Sequence, residues 1–409
     1  PYTDVDENGT YDPTVDIPGV SGADQTIWFV ANDQEAGLTQ NLYGTLPMGI
    51  EMQATFWAYA QTGALGNMFF RRYLITNKTD VLGDPKTFQD MYVCMWSDPD
   101  VGNSTDDFAG SDTLLSLVYA YNGIANDPTY SPLPPPAVGF DFFQGPIVES
   151  PGDSAIFQGE YIQGFKNLPM TAAFYFTRGD ATVTDPVLGS PTEGAVRMYR
   201  FMQGRVGLTD LPFVDPTTGQ ETKFALNGDP ITKSGWIDGL LQAPGDRRIG
   251  AASGPFDMEP GDVQEIVVAE ICGGAIPGVD RISAVALMKF YDQVAQVAYD
   301  SFFDLPTPPP SPSVSTAELD GQIVLDWSKD NNRVLSTESS NTKGYTFQGY
   351  NVYQLPSSSA GIGEAVRLAT YDLVDGIGKI NDLVFDPSTG SVVSLPVQFG
   401  NDTGIKRYL

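Results

Sequence analysis

The stretch from Trp96 to Thr113 reads W-S-D-P-D-V-G-N-S-T-D-D-F-A-G-S-D-T and lies between two runs with the composition of β-strands. Its five carboxylates belong to Asp98, Asp100, Asp106, Asp107 and Asp112. Carboxylates this close repel one another, so a folded loop needs a cation, solvent or backbone N–H donors to offset their charge. The stretch therefore predicts a structural cation site at the end of a sheet. We expect Asp98, Asp100 and Asp107 to be its principal ligands and Asp112 the next.

The runs around this acidic stretch predict an antiparallel meander. Each is rich in β-branched and aromatic residues and is bounded by turn residues. The runs are Gln25 to Ala31, Gly49 to Tyr59, Asn67 to Asn77, Gln89 to Ser97 and Leu114 to Asn122. Trp28, Trp57 and Trp96 lie in them, and we expect these rings in the core because a sandwich needs large inward side chains.

Composition favours a mainly β protein. The 409 residues include 43 Gly and 31 Pro, which indicates many turns and favours sandwiches and barrels over helix bundles. A hydrophobic share of 41% is enough for a sizeable core. No apolar stretch approaches the length of a membrane span, so we predict none.

Charge and histidine content exclude several function classes. The net charge of -29, from 51 acidic and 22 basic residues, opposes binding to a phosphate backbone, so we predict no nucleic-acid partner. The chain has no histidine, which removes Ser-His-Asp and Cys-His catalysis and every histidine-ligated metal site. Carboxylate chemistry or a hard-metal site remains. We predict no catalytic residues, no organic cofactor and no enzymatic activity.

A second acidic loop at the N-terminus matches the first half of a calcium-binding loop. Oxygen-bearing side chains alternate along it, and Gly9 supplies the sharp turn. The predicted calcium ligands here are Asp4, Asp6, Asn8, Thr10, Asp12 and Asp16. Val15 stands where an EF-hand has its bidentate Glu, so the loop is closer to the short Asp-rich loops of extracellular repeats. The alternative is a disordered acidic terminus.

The middle of the chain predicts further elements. Residues 126–164 carry three consecutive prolines and scattered glycines, which favours an ordered surface excursion over a strand ladder. We expect a strand over 170–177, a short helix over 194–204 and a buried strand over 263–271. A long helix near 280–303 is expected to begin after an Asp280 N-cap, with an apolar stripe that packs on the core.

The two cysteines leave two alternatives open. Cys94 and Cys272 are far apart in sequence and show no CxxC spacing, which disfavours redox catalysis and zinc binding. They either form one long-range disulfide or remain buried free thiols.

The domain division follows from composition. We expect an Asp-rich segment at 1–20, a β-sandwich domain with loop insertions at 21–305, and a stiff Pro-rich linker at 306–312. Residues 313–409 resemble the front of a fibronectin type III module. Pro312 precedes its first strand, Trp327 ends the run from Gly321, and Gly349 to Tyr353 forms the third strand. The last two strands of such a sandwich have no counterpart, so either the chain continues or another subunit supplies strands.

These features together are similar to a family of large secreted surface proteins of Gram-negative bacteria that carry fibronectin type III domains, often with a sorting signal for type IX secretion. The resemblance rests on the N-terminal loop, the acidic stretch, the motif G-P-F-D-M-E-P-G-D at 254–262, the helix and the truncated module. It implies an extracellular or cell-surface location and no known catalytic activity.

Three functions are compatible with the sequence. We predict a non-enzymatic surface-layer, matrix or filament subunit that is stabilised by calcium and forms a homo-oligomer or polymer through β-edges. The alternative is a carbohydrate-binding or glycan-processing module of a secreted protein, in which Trp236, Tyr130 or Tyr161 stacks on surface glycans. A spacer within a larger adhesin is the third.

Overall fold

The computed structural model describes residues 2–61, 63–303, 309–358, 360–386, 389 and 391–409. Strands account for 41% of the chain and helices for 12%, and the strands pair in antiparallel sheets, so the prediction of a mainly β protein is confirmed. The chain divides into two compact units, residues 1–303 with 386–391 and residues 304–385 with 392–409.

The strands of the first unit are short at its N-terminus and long in its two main sheets. In chain order they are β1 (Tyr2–Thr3), β2 (Ile17–Pro18), β3 (Gln25–Asn32), β4 (Ile50–Ala58), β5 (Met68–Asn77), β6 (Phe88–Ser97), β7 (Asp107–Asp112), β8 (Leu117–Asn122), β9 (Ala137–Gln144), β10 (Ile147–Phe157), β11 (Glu160–Asn167), β12 (Ala172–Thr177), β13 (Phe213–Val214), β14 (Glu221–Thr222), β15 (Arg247–Met258) and β16 (Val263–Gly273). Its helices are α1 (Ala36–Thr39), α2 (Val196–Met202) and α3 (Arg281–Asp300), with a 3₁₀ turn at Leu65–Asn67 and a π turn at Pro191–Ala195.

Two sheets of unequal width form a sandwich. Within the described residues the wider sheet has the order β3-β4-β5-β16-β9-β8-β7, and the narrower one has the order β12-β15-β6. Apolar side chains from both sheets meet in one buried cluster that includes Met95, Phe140, Ile249 and Val268. The predicted meander holds only for β3, β4 and β5, since β6 leaves for the narrower sheet and β16 inserts between β5 and β9.

Helix α3 covers the opposite face of the wider sheet. Asp280 caps it, since its side chain accepts hydrogen bonds from the N–H groups of Ile282 (3.0 Å) and Ser283 (2.7 Å). Val285 and Met288 on its inner face are fully buried. A Cβ at Gly139 of β9 would lie 2.5 Å from the Met288 sulfur, so glycine there allows the close approach of helix and sheet. The predicted helix, its cap and its buried stripe are confirmed.

The two edges of the wider sheet differ. At the β7 edge, loop residues 226–245 pair with the outer backbone groups of β7. Ser111 N–H donates to the Leu226 carbonyl (2.9 Å), and Gly245 N–H donates to the Asp107 carbonyl (3.0 Å). At the other end, β3 pairs with β4 and has no strand on its outer side among the described residues. The sheet is therefore closed at one edge and open at the other.

The narrower sheet leaves the open end of the sandwich uncovered. Its edge strand β6 faces β4, β5 and β16 across an apolar cleft of about 400 Å³. The cleft is lined by Met52, Arg71, Tyr73, Ile75, Val93, Cys94, Met95, Trp96, Phe142, Ile266 and Val268. Beyond it Ile27 and Phe29 of β3 are 54% and 42% exposed, while the residues of β4 are buried or partly buried.

Three expectations about buried segments are wrong. Trp57 is buried, but Trp28 and Trp96 are 49% and 43% exposed because they lie on strands at the open end. Residues 137–144 form β9, a buried central strand, and 147–167 form the β10–β11 hairpin. The run A-V-G-F-D-F-F-Q of β9 is covered on both faces, which gives the continuous apolar pattern of a central strand, and the prolines lie before it.

The second unit consists of hairpins around a small core. Its described elements are β17 (Ser315–Leu319), β18 (Gln322–Asp326), α4 (Asn331–Glu338), β19 (Asn341–Thr342), β20 (Tyr345–Thr346), β21 (Gly349–Gln354), a 3₁₀ turn at Ile362–Glu364, β22 (Val366–Asp372), β23 (Lys379–Asp386) and β24 (Ser391–Phe399). Trp327 is buried against the rings of Tyr350 and Tyr371, with ring centroids 5.6 and 6.3 Å away. The predicted linker at 306–312 falls partly outside the described residues.

Candidate metal centres

The N-terminal loop brings three of its predicted ligands together. One carboxylate oxygen from each of Asp4, Asp6 and Asp16 lies within 4.8 Å of the others. Asp4 accepts hydrogen bonds from the N–H groups of Asn8 (3.1 Å) and Gly9 (2.6 Å), and Gly9 has a φ of 75°, which favours glycine. These bonds, that of Gly9 most, lower the pKa of Asp4. The loop backbone thus holds the acidic side chains in one place.

Asp16 closes the loop from the other side. It is 5% exposed, and its two oxygens accept hydrogen bonds from the N–H groups of Val5 (2.9 Å) and Asp12 (2.7 Å). A carboxylate oxygen with one N–H donor keeps further lone-pair capacity, so Asp16 can still ligate a cation. Three convergent carboxylates with open sides fit a hard cation that takes six to eight oxygen ligands.

The other predicted ligands of this loop serve the backbone. Asn8 accepts the N–H of Thr10 (2.7 Å) and donates its side-chain amide to Asp6 (2.9 Å). Asp12 accepts the N–H (2.8 Å) and hydroxyl (2.7 Å) of Thr14, whose hydroxyl lowers the pKa of Asp12 most. Asp12 does not belong to the three-carboxylate group.

The acidic stretch does not form one site. Asp98 and Asp100 meet Asp246, with one oxygen of each within 4.8 Å of the others. The Arg248 guanidinium lies among them, with Nε 3.2 Å from Asp98 and Nη2 3.3 Å from Asp246. A cation at this position would compete with a guanidinium that already offsets the charge, so this group fits a metal less well than the N-terminal loop does.

Asp107 and Asp106 lie apart from that group, around the start of β7. Asp107 is 1% exposed, and one oxygen accepts the N–H of Val101 (3.1 Å) while the other has no hydrogen-bond partner among the described residues. Burial is the largest cause and raises its pKa to about 8; the Val101 N–H lowers the pKa, and Asp106, Asp100 and Asp127 each raise it by a smaller amount. Burial also raises the pKa of Asp106, and one of its oxygens is likewise unpaired.

Asp112 is at the opposite end of β7. Its carboxylate forms an ion pair with Lys289 of α3 (2.8 Å) and accepts the N–H of Leu114 (3.1 Å). The six residues from Asp107 to Asp112 form a strand rather than a loop, which separates the two carboxylates by roughly 16 Å at about 3.3 Å per residue. The expected grouping of Asp112 with Asp98, Asp100 and Asp107 is therefore absent.

Two acidic groups were missed by the sequence reasoning. Asp246 comes to Asp98 only because β15 pairs with β6, and no local pattern marks it. Asp141 of β9 and Asp292 of α3 form a buried acid pair, each 1% exposed with one unpaired oxygen. Burial, more than the neighbouring Asp292, raises the pKa of Asp141, and burial raises that of Asp292 to about 7. An Asp within each apolar pattern was the only signal.

The aromatic residues proposed for glycan stacking differ in exposure. Trp236 is 4% exposed and packs toward Phe213, which removes it from any binding platform, whereas Tyr161 is 56% exposed. Tyr130 is partly buried against the core. Cys94 and Cys272 are free thiols, and burial raises the pKa of both.

No protein-family model and no curated protein sequence matches the chain. In the described part of the chain, no helix has the length and apolar character needed to cross a membrane.

Proposed function

We propose that this chain is a non-enzymatic structural subunit of an extracellular or cell-surface assembly. The observation that carries the proposal is the open edge of the wider sheet. Strand β3 presents four consecutive apolar side chains, Ile27 to Val30, each more than 40% exposed, on an edge that no described strand pairs. An edge of this kind is a template for another strand, and monomeric proteins normally blunt it.

Calcium is the proposed stabilising ion, and the N-terminal loop is its proposed site. Asp4, Asp6 and Asp16 supply three convergent carboxylates, and the loop backbone already orients them. At extracellular calcium concentrations an occupied site of modest affinity adds about 1 to 2 kcal/mol to the free energy of unfolding. The net charge of -29 also favours the binding of a cation.

The finer architecture belongs to the same proposal. We assign residues 313–409 to a fibronectin type III-like module, supported by the buried Trp327 and by hairpins β17–β18 and β21–β22. The extracellular location is proposed from the motifs at 4–16, 96–113 and 254–262 alone, which resemble those of secreted bacterial surface proteins.

Calcium binding is tested by thermal melting of the full chain. The melting temperature is expected to rise in calcium relative to a chelator. Asp16→Asn should abolish most of that rise, because it removes a charged ligand oxygen. Asp12→Asn is the matched control in the same loop and should keep the rise, since Asp12 is outside the carboxylate group. Equal calcium responses in all three proteins would refute the site.

The structural role is tested by electron microscopy of concentrated protein in calcium and in chelator. We expect ordered oligomers or polymers in calcium. Monodisperse monomers under both conditions would contradict the proposed function.

A further inference from the structure

We propose that two copies of this chain associate through the open end of the sandwich, each placing β3, β4 and β5 over the same three strands of the other. This inference rests on the proposed assembly through sheet edges, and it names the surface and the partner. The partner is a second copy, which side-chain exposure, charge, strand direction and interface area all favour.

Strand β3 is apolar and exposed on both of its faces. Ile27 and Phe29 lie on the core side of the sheet, because Phe29 stacks on Phe56 (5.7 Å between centroids) and Phe56 contacts Tyr73 of the core cluster (6.1 Å). Their exposed fractions are 54% and 42%. Trp28 and Val30, on the other face, are 49% and 51% exposed. A strand that pairs with the edge of β3 and a sheet that packs on its core side would therefore cover Ile27, Phe29 and the backbone edge.

The cleft beside β6 favours a strand that has no charged side chains. Among the described residues that line it, Arg71 alone is charged, and it already forms an ion pair with Glu270. Burying an additional charge there would be costly, whereas an apolar strand would not be. The sequence of β3, Q-T-I-W-F-V-A-N, contains no charged side chain. The chain thus carries on β3 the kind of segment that the cleft beside β6 accepts.

Strand directions allow the two contacts to form together. Strands β3 and β5 run the same way, since both are antiparallel to β4. Strand β15 ends at Met258, whose carbonyl accepts a hydrogen bond from Asn77 at the end of β5 (3.3 Å). The two strands therefore end at the same edge of the sandwich, and β15 runs in the same direction as β3 and β5. Strand β6 is antiparallel to β15 and hence to β3. A two-fold axis parallel to the strands preserves these directions and places β3 of each copy antiparallel to β6 of the other.

The strand count also matches. The narrower sheet stops at β6, which leaves β3 exposed and β4 and β5 only partly buried, and three strands of a second copy would fill that space. Three strands of eight residues present roughly 400 Å² of sheet face per copy. Two such faces and two new strand pairs give at most about 1,000 Å², since β4 and β5 are already partly buried, and this is the lower limit of specific interfaces.

Pairing of β3 with β3 of a second copy is the rival arrangement. Antiparallel pairing centred between Trp28 and Phe29 would place Asp24 opposite Asp33 of the second copy. Like charges directly opposite are destabilising, and this arrangement would leave the cleft beside β6 uncovered. The observations therefore favour pairing with β6.

Sedimentation velocity of the full chain over a wide concentration range tests the association. Wild type should form a dimer, and Ile27→Lys should raise its dissociation constant at least about tenfold, because a charge would enter the apolar interface. Leu114→Lys is the matched control, since Leu114 is 94% exposed in the β7–β8 turn, far from β3. Circular dichroism checks that each variant is folded. A monomeric wild type, or a dimer that Ile27→Lys leaves unchanged, would overturn the proposal.

Cysteine cross-linking gives a second, independent readout in a Cys272→Ser background. Cys94 shares a face of β6 with Trp96, whose ladder partner Gly250 lies against Phe174 on the α2 side. In the proposed dimer Trp28 and Val30 of the second copy lie on that same side. Trp28→Cys or Val30→Cys should therefore give a disulfide-linked dimer that Cys94→Ser abolishes.

The outcomes separate this inference from the proposed function. Dimers linked through β3 cysteines without Cys94 would support the rival pairing and overturn the inference. Assemblies in the microscope that neither Ile27→Lys nor the cysteine variants affect would also overturn it, and the structural function would stand. Absence of any assembly in calcium would contradict both.

Discussion

Asp292 lies where a carboxylate is costly, between α3 and β9 and beside Asp141. Neither side chain is more than 1% exposed, and each has an oxygen without a partner among the described residues. Two buried carboxylates cannot both ionise at low cost, so the pair retains protons above the usual range. Lys289, which pairs with Asp112, lowers the pKa of Asp292 only in part. Burial is the dominant cause for both groups.

This pair predicts a stability that falls with rising pH. Since the pKa values are raised on folding, the folded state binds more protons than the unfolded state between about pH 4 and the folded pKa of Asp292, about 7. The free energy of unfolding should fall across that window by up to about 1.4 kcal/mol per pH unit for each proton. Urea denaturation at several pH values should show a shallower fall for Asp292→Asn. Asp300→Asn, at the exposed end of the same helix, is the control, and equal slopes would refute the assignment.

At the scale of the element, α3 holds one face of the wider sheet through a few fully buried side chains. Met288 packs against Gly139 and Gly273. A Cβ at Gly139 would lie 2.5 Å from the Met288 sulfur, and a Cβ at Gly273 would lie 2.5 Å from the Met288 backbone nitrogen. Val297 on the same helix is 71% exposed. Substitutions at Met288 and Val297 therefore distinguish the loss of core packing from a change in helix propensity.

Replacement of Met288 by Ala should lower the free energy of unfolding by about 2 to 5 kcal/mol, because it leaves a cavity against two glycines. Val297→Ala should change it by less than about 0.5 kcal/mol. Chemical denaturation of both variants measures the difference. Comparable small effects would show that the helix is not packed as described.

The same elements show what sequence patterns could predict. Helix α3 and strand β16 were predictable because a cap, a stop and a periodic or continuous apolar run coincide there. Strand β7 was missed because its D-F-A-G-S-D has few strand-forming residues. It pairs because loop residues 226–245 bond its outer edge, for example Asp238 to the N–H of Ala109 (2.9 Å). A contact from more than a hundred residues away leaves no local pattern.

Features that depend on the arrangement of the whole molecule could not be predicted from local patterns, because they rest on contacts between residues far apart in sequence. The N-terminal carboxylate group was predictable since its three aspartates lie within one short loop, whereas Asp246 joins Asp98 and Asp100 only through the pairing of β15 with β6. The open end depends on sheet order, which places β3 outermost and ends the narrower sheet at β6. No run of residues encodes that mismatch by itself.

Hydrogen–deuterium exchange at low and high protein concentration tests association through the open end of the sandwich directly. We expect the amides of β3 and β6 to exchange more slowly at high concentration, because both edges gain strand partners, while those of β7 do not change. Equal exchange of β3 and β6 at both concentrations, or protection confined to other segments, would contradict it.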